Sequence, residues 1–257
     1  MNRQSHAPVR AALAIAAVLA LPAAAFAQVK VIISGGFSAA YREVLPEFER
    51  TTGITVTTTS GGSFGKDPNT IGAQLRRGVQ ADVVIMSREG LAELIAEGRI
   101  VAGTDTDLAR SSLGVAVRAG APKPDISTLE SLTRTLLRAK SVAFTSSTSG
   151  VYLTTTLFPR LGIADQMAAK STTAGVAAVV RGEAELAVQP VSELLPVAGV
   201  DFVGTIPAEA QKVNVYAAAV VTGSKETDAS RRLIAFLASD RATAAMKKNG
   251  MEPSSSR

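Results

Sequence analysis

Cysteine and tryptophan are both absent from the 257 residues, and the single histidine is His6. Without cysteine the chain has no disulfide to form, no thiol nucleophile and no thiolate ligand for a structural zinc site. His6 lies inside a segment that reads as removable. "AALAIAAVLALPAAAFA" is an apolar run behind Arg3 and Arg10, and it closes on Ala25-Phe26-Ala27. A positive start, a short apolar core cut by Pro22 and a small-x-small end are the marks of a secretory signal peptide over residues 1–27. The remaining chain, from near Gln28, then has no imidazole, which excludes Ser-His-Asp and Cys-His triads. No later run is long and apolar enough to span a bilayer. Loss of Arg3 and Arg10 lowers the net charge from +5 to +3, too little for a nucleic-acid-binding surface. The expected compartment is the periplasm, and a monomer is expected.

What is present is an alternation. "VKVIISGG" is a short β-rich run over Val29 to Ser34, and "SAAYREVLPEFERTTG" carries a helical apolar spacing closed by Gly53, with Pro46 inside it. "ITVTTTS" reads as a strand, "NTIGAQLRRG" as a helix, and "ADVVIMS" as a strand buried on both faces. "REGLAELIAEGRI" follows as a third helix. This order predicts a parallel sheet wrapped by helices. The pattern then restarts. A strand is expected over Leu113 to Arg118, followed by a helix capped by a Ser127/Glu130 box. "SVAFTSS", "AELAVQPVSELL" and "DFVGTIP" carry further strands, separated by the helices "GVYLTTTLFPRLG" and "TAGVAAVVRGE". A long strand over Val213 to Ser224 and one or two terminal helices complete the chain. The fold class is therefore α/β, in two lobes with a hinge and a ligand cleft between them. Lobe 1 is expected over 28–112 plus 216–257 and lobe 2 over 113–215, with strands near 113 and 215 as paired hinge crossings. Ligands in open α/β sheets sit at the carboxyl ends of strands, and closure of two lobes is the expected motion.

Three hydroxyl-and-glycine clusters fall at strand-to-helix junctions: Ser34 to Ser38, Thr59 to Gly65, and Thr145 to Gly150. "SGGFSAAYREVLPEFERTTG" poses the question they share. Small residues ahead of a helix are either a plain cap or an anion-binding mouth, where free N–H groups and hydroxyls meet a negative ligand. Three clusters at the same end of two sheets favour the mouth. Phe37 and Ser38, then Ser60, Gly61 and Ser63, then Ser149 and Gly150 are the candidates. Lys66 follows the second cluster and can reach a bound anion, or stand solvated. Asp105 and Asp107 resemble a fragment of a calcium loop whose remainder is absent, so no metal site is assigned. No cofactor is expected. No pair of carboxylates is spaced as an acid/base couple, and Ser63 with Lys66 is a Ser–Lys spacing in a glycine-rich loop with no helical geometry behind it.

On these clusters the chain resembles the periplasmic molybdate-binding proteins of ABC importers, within the type II solute-binding proteins, over about Val29 to Gly250. "QLRRGVQADVVIMSREGLAELIAEGRI" is the most specific piece. "STSGVYLTTTLFPRLGI" and "VVRGEAELAVQPVSELL" resemble the segments that carry the second lobe's ligand contacts. The resemblance implies an oxyanion held by hydroxyls and N–H groups. Ser38 matches the first serine ligand, and Ser60 to Ser63 the second. Ser149 and the Thr172-Thr173 stretch match positions that give backbone N–H groups. Where the family has a tyrosine, Gln189-Pro190 stands here, and "GGSFGKDPN" enlarges the second turn. A small anionic ligand, molybdate or tungstate first, and an inner-membrane ABC permease are the implied partners, with no nucleic acid. A small organic carboxylate is the alternative ligand, and a ligand-sensing accessory protein the alternative role. The expectation is a binding protein and no enzyme.

Overall fold

The computed structural model describes residues 27–254; most of the expected signal segment, His6 included, lies outside them. In chain order the elements begin with β1 (Gln28–Ile33), α1 (Gly35–Thr52), β2 (Thr55–Ser60), α2 (Ile71–Arg76), β3 (Val83–Ser87) and α3 (Arg88–Ala96). Then come β4 (Thr106–Arg118), α4 (Leu129–Arg138), β5 (Val142–Ala143) and α5 (Thr148–Tyr152). A π-helical turn (Leu153–Leu157) leads on to α6 (Phe158–Arg160), α7 (Ala164–Ala168), β6 (Ser171–Thr172), α8 (Val176–Val180), β7 (Leu186–Pro190), α9 (Val191–Leu194) and β8 (Val200–Thr205). The chain closes with β9 (Val213–Val220), α10 (Thr227–Leu237), α11 (Asp240–Lys248) and β10 (Glu252–Pro253).

The strands form one curled, mixed sheet in the order β2-β1-β3-β9-β4-β7-β5-β6, with β8 and β10 also on β4. β1 is parallel to β2 and β3, as the strand–helix alternation predicts. β9, the late strand, runs antiparallel between β3 and β4. β4 belongs to both ends of the molecule. Its residues Thr106 to Ser112 pair with β9, while Leu113 to Arg118 pair with β7 and β8. The core divides accordingly. Residues between 29 and 109 and between 216 and 251 bury one pair of hydrophobic clusters, and residues 113–210 bury the other pair. β3 shows why: Val83 and Ile85 enter one cluster, Val84 and Met86 the opposite one, so its unbroken apolar run serves two faces.

Several expectations need correction. β4 starts at Thr106, well before Leu113: "TDLARSS" is too polar to read as a strand, although its backbone pairs with β9 on both sides of a bulge at Leu108. The strand expected through Ser224 stops at Val220. The cap of α4 is Thr128 with Ser131, in place of Ser127 with Glu130: Thr128 Oγ1 accepts from Ser131 N at 3.1 Å and Ser131 Oγ accepts from Thr128 N at 3.0 Å. α1 runs through Pro46 without interruption. Among the described residues no helix is long and apolar enough to cross a membrane.

Candidate ligand cleft

α1 starts where β1 ends. Ser34 is its N-cap, but its side chain makes no capping bond; the residue is 3% exposed and its buried Oγ has no hydrogen-bond partner. The first three N–H groups of the helix, on Gly35, Gly36 and Phe37, belong to the set that a helix cannot satisfy internally. Two side chains face this turn. A Cβ on Gly36 would stand 1.9 Å from the Tyr216 hydroxyl, so only glycine lets β9 approach so closely. A Cβ on Gly35 would stand 3.5 Å from Glu193 Oε1, which brings a carboxyl group against the mouth of an 18-residue helix.

Around Glu193 and Tyr216 lies a narrow cavity lined by ten residues: six hydroxyl side chains, from Ser63, Ser87, Thr145, Ser147, Thr148 and Ser149, together with Pro190, Asn214 and those two. It has about 10 Å³ of free space, room for one water molecule at most. The hydroxyls of the two halves touch across it. Ser63 N and Phe64 N donate to Ser147 Oγ at 3.1 and 3.3 Å, and Ser87 Oγ lies 2.8 Å from Thr148 Oγ1. Ser63 Oγ in turn accepts from Ser87 N at 2.9 Å. Gly90 makes this possible, since a Cβ there would lie 1.9 Å from Ser63 O. Lys212 Nζ reaches Glu89 Oε1 at 2.5 Å nearby. Buried polar atoms without partners gather here too: Asn214 Oδ1, on a residue 2% exposed, joins Ser34 Oγ. Native interiors leave few such atoms unpaired, and each asks for an explanation.

Glu193 is held by one contact. Gln189 Nε2 donates to its Oε2 at 2.5 Å, while Gln189 Oε1 accepts from Val176 N at 2.5 Å. Burial pushes the Glu193 carboxyl above the ordinary carboxylate value, and the Gln189 amide draws it partly back. The Tyr216 phenol is pushed up as well, first by burial and then by the negative charge of Glu193, against hydrogen bonds with Ser192 and Asn214 that draw it partly back.

The residues singled out in the sequence divide between this cavity and its surroundings. Ser63 and Ser149 line it, and Gly150 is buried beside them in α5. Phe37 contributes its backbone to the α1 mouth, while its ring lies in the hydrophobic core. Ser38 is one turn further on, its hydroxyl donating to Ser34 O at 2.9 Å. Ser60 and Gly61 line a shallower hollow with Gly35, Gln74 and Arg77. Lys66 and Thr173 are exposed, and Thr172 is a half-buried residue of β6. Gln189 is buried with both ends of its amide engaged inside the protein. Glu193, Tyr216, Asn214 and Ser87 were not anticipated. Ser87 alone had a sequence signal, a hydroxyl at the junction of a strand and the next helix. Among the described residues no cluster of His, Cys, Asp or Glu could hold a metal ion.

The chain is 40% identical over 246 residues to aconitate isomerase of a Pseudomonas species, covering 94% of each protein. It superposes on the periplasmic molybdate-binding protein of Azotobacter vinelandii with a TM-score of 0.69 at 18% identity, covering 87% of this chain and 98% of that one. Peb3 of Campylobacter jejuni, solved with L-phospholactate bound, gives 0.64 at 16% identity, covering 87% and 99%. The likeness to these two structures is one of fold. The first relative overturns the expectation of a chain that only binds. It is named as an enzyme, and the lack of cysteine, and of histidine among the described residues, excludes triads there without excluding acid/base chemistry by a carboxyl group or a phenol. Residues 29–252 match the family model described as bacterial extracellular solute-binding protein, and this chain belongs to that family.

Proposed function

We propose that this protein isomerises a small unsaturated polycarboxylate of the aconitate type in the cleft between its two halves. The observation that carries the reading is the 40% identity to an aconitate isomerase over 94% of the chain. Elementary chemistry agrees with the site. Aconitate bears three carboxylates on a three-carbon alkene, so its methylene protons are acidified by an adjacent carboxylate and by conjugation through the double bond. Moving a proton from one end of the allyl unit to the other interconverts isomers and needs no redox partner or metal. Such a step asks for neutral donors to hold the carboxylates and absorb the developing charge, and for a group that moves a proton. The α1 mouth and the ring of hydroxyls from Ser63, Ser87, Ser147 and Ser149 supply the donors. Gly150 lies buried beside Ser149, and Ser38, Ser60, Gly61 and Thr172 lie further out, where the longer ligand arms would extend.

The cavity is too small for such a ligand as it stands, so we take the halves 28–112 plus 216–257 and 113–215 to part about the β4–β9 crossing. Molybdate is less well supported than a carboxylate, because the Gln189 amide, in the position where the resembling family has a phenol, is already committed to Val176 and Glu193. Capture of the same carboxylate for an ABC importer is the second reading, favoured by the family as a whole.

The test is to incubate the purified chain with either geometric isomer of aconitate and follow the other by proton NMR, alongside a thermal-shift series with both isomers, molybdate, tungstate and sulfate. Turnover together with a rise in Tm for aconitate supports the isomerase. A rise without turnover supports the carrier, and a rise with molybdate and tungstate alone overturns both carboxylate readings. A ligand at 100 times its Kd stabilises by about 2.7 kcal/mol, well within the range of such a screen.

A further inference from the structure

The cavity is lined by only two titratable side chains, Glu193 and Tyr216; the rest are hydroxyls, the amide of Asn214 and the ring of Pro190. No lysine, arginine or histidine lines it. Glu193 stands at the strongest anion-holding feature of the cleft, the N-terminus of α1. Independent signs point to a ligand at the same place: the unpartnered Ser34 Oγ and Asn214 Oδ1, both on almost fully buried residues.

Resting on the isomerase reading, we infer that Glu193 is the proton carrier of the reaction and that Gln189 positions it. The Gln189 amide ties one carboxylate oxygen, Oε2, and is itself anchored on Val176 N–H. Oε1 has no such tie and faces Gly35. One oxygen is therefore tied and the other left free toward the helix mouth. With a carboxylate of the substrate on the N–H groups of Gly35 and Gly36, the adjacent methylene would lie against Oε1.

The step balances within the substrate and this one residue. The Glu193 carboxylate takes a proton from the methylene carbon. The C–H electron pair spreads over the allyl unit and into the carboxylate at the helix mouth. The neutral Glu193 then returns the proton to the other terminal carbon, and the double bond forms between the remaining two. Both terminal carbons belong to one allyl unit and are within reach of one carboxyl group, so a single residue serves as base and then as acid. Burial raises its affinity for protons, the direction that suits the return of the proton as an acid, while the Gln189 amide draws it partly back toward the base. The Tyr216 phenol, held neutral, is a donor to the charge that develops and no competitor as the base.

The experiment compares wild type with Glu193→Gln and Glu193→Asp in D2O, reading turnover of aconitate, deuterium incorporation by mass spectrometry, and the aconitate-dependent rise in Tm. Glu193→Gln keeps the shape but cannot carry a proton. Turnover and incorporation should fall about 10²–10⁴-fold while the Tm rise persists. Glu193→Asp retains a carboxyl group one methylene further back, so it should keep measurable incorporation at a reduced rate, above that of Glu193→Gln. An active wild type with Glu193→Gln within tenfold of it overturns this inference and leaves the isomerase reading standing. A wild type that binds aconitate but neither isomerises nor exchanges it overturns the isomerase reading, and this inference falls with it. If Glu193→Gln does not fold, Glu193→Asp decides: a folded aspartate variant with wild-type rate shows that the position of the carboxyl does not matter, and the proposal fails.

Discussion

At the scale of single residues, the cleft is a place where ordinary satisfaction rules are suspended. Ser34 caps α1 by position but not by bonding, and Glu193 is a carboxyl group with one neutral amide for company. The second fact has a consequence for stability. Burial keeps Glu193 protonated to a higher pH than in the unfolded chain, so the folded protein binds more protons than the unfolded one between the ordinary value of 4.5 and the raised one. The contribution of this residue is then fully present below pH 4.5 and is lost as pH rises through that window, the reverse of a salt-bridged carboxylate. Glu193→Gln should therefore gain Tm relative to wild type as pH rises from 4 to 8, with the two converging at the acid end. Circular-dichroism melts that keep a constant gap across the series would contradict this. Little of that was legible beforehand. The three hydroxyl clusters could be found because each is contiguous and sits at a strand end. Glu193, Tyr216 and Asn214 are single residues on separate elements, brought together only by the packing of α9 and β9 against α1.

Elements were legible where their residues agree with their backbone. β3 is apolar throughout and buried throughout. β5 is two residues long, yet the apolar stretch "SVAF" around it marks a strand; β6, also two residues, has no such surroundings, and the first half of β4 is paired while polar. Helix α4 illustrates a near miss. Its capping residues are reciprocal, but one position later than the Ser-x-x-Glu spacing suggests, because Ser131 can reach back as glutamate would. Asp125 instead takes Ser127, whose N–H and Oγ both donate to it and hold its carboxyl below the ordinary range. Thr128→Ala should cost about 1 kcal/mol, or roughly 2–4 °C in Tm for a chain of this size, whereas Ser127→Ala should leave the helix cap intact. Thermal melts of the two variants side by side would show the order reversed if the box were at Ser127.

For the whole molecule the important contacts are those across the cleft. The halves meet through hydroxyls and N–H groups, with Ser147 Oγ accepting two N–H groups from the opposite loop. Net hydrogen bonds of this kind are worth about 0.5–1.5 kcal/mol each, enough to bias an open–closed equilibrium without locking it. Ser147→Ala should shift the ligand-free protein toward the open form, read as a larger radius of gyration in small-angle scattering, and saturating ligand should restore the compact value. An unchanged radius in the variant would mean that closure does not depend on this contact. The sheet order could not be read from the sequence, because strand alternation predicts neighbours among consecutive strands and gives no hint that β9 enters between β3 and β4.

That late strand also sets a timetable. β9 is the central partner that joins β3 to β4, yet 125 residues separate Ser87, the last residue of β3, from Val213, the first of β9. At roughly 5–20 residues per second of synthesis, β3 waits on the order of ten seconds for its neighbour. During that interval the run Val83 to Met86 has an open edge and an apolar surface, the combination that invites wrong pairing. The first half of this protein is thus an unfinished sheet until the chain is nearly complete, and its newly made form depends on being kept apart from other chains until β9 arrives.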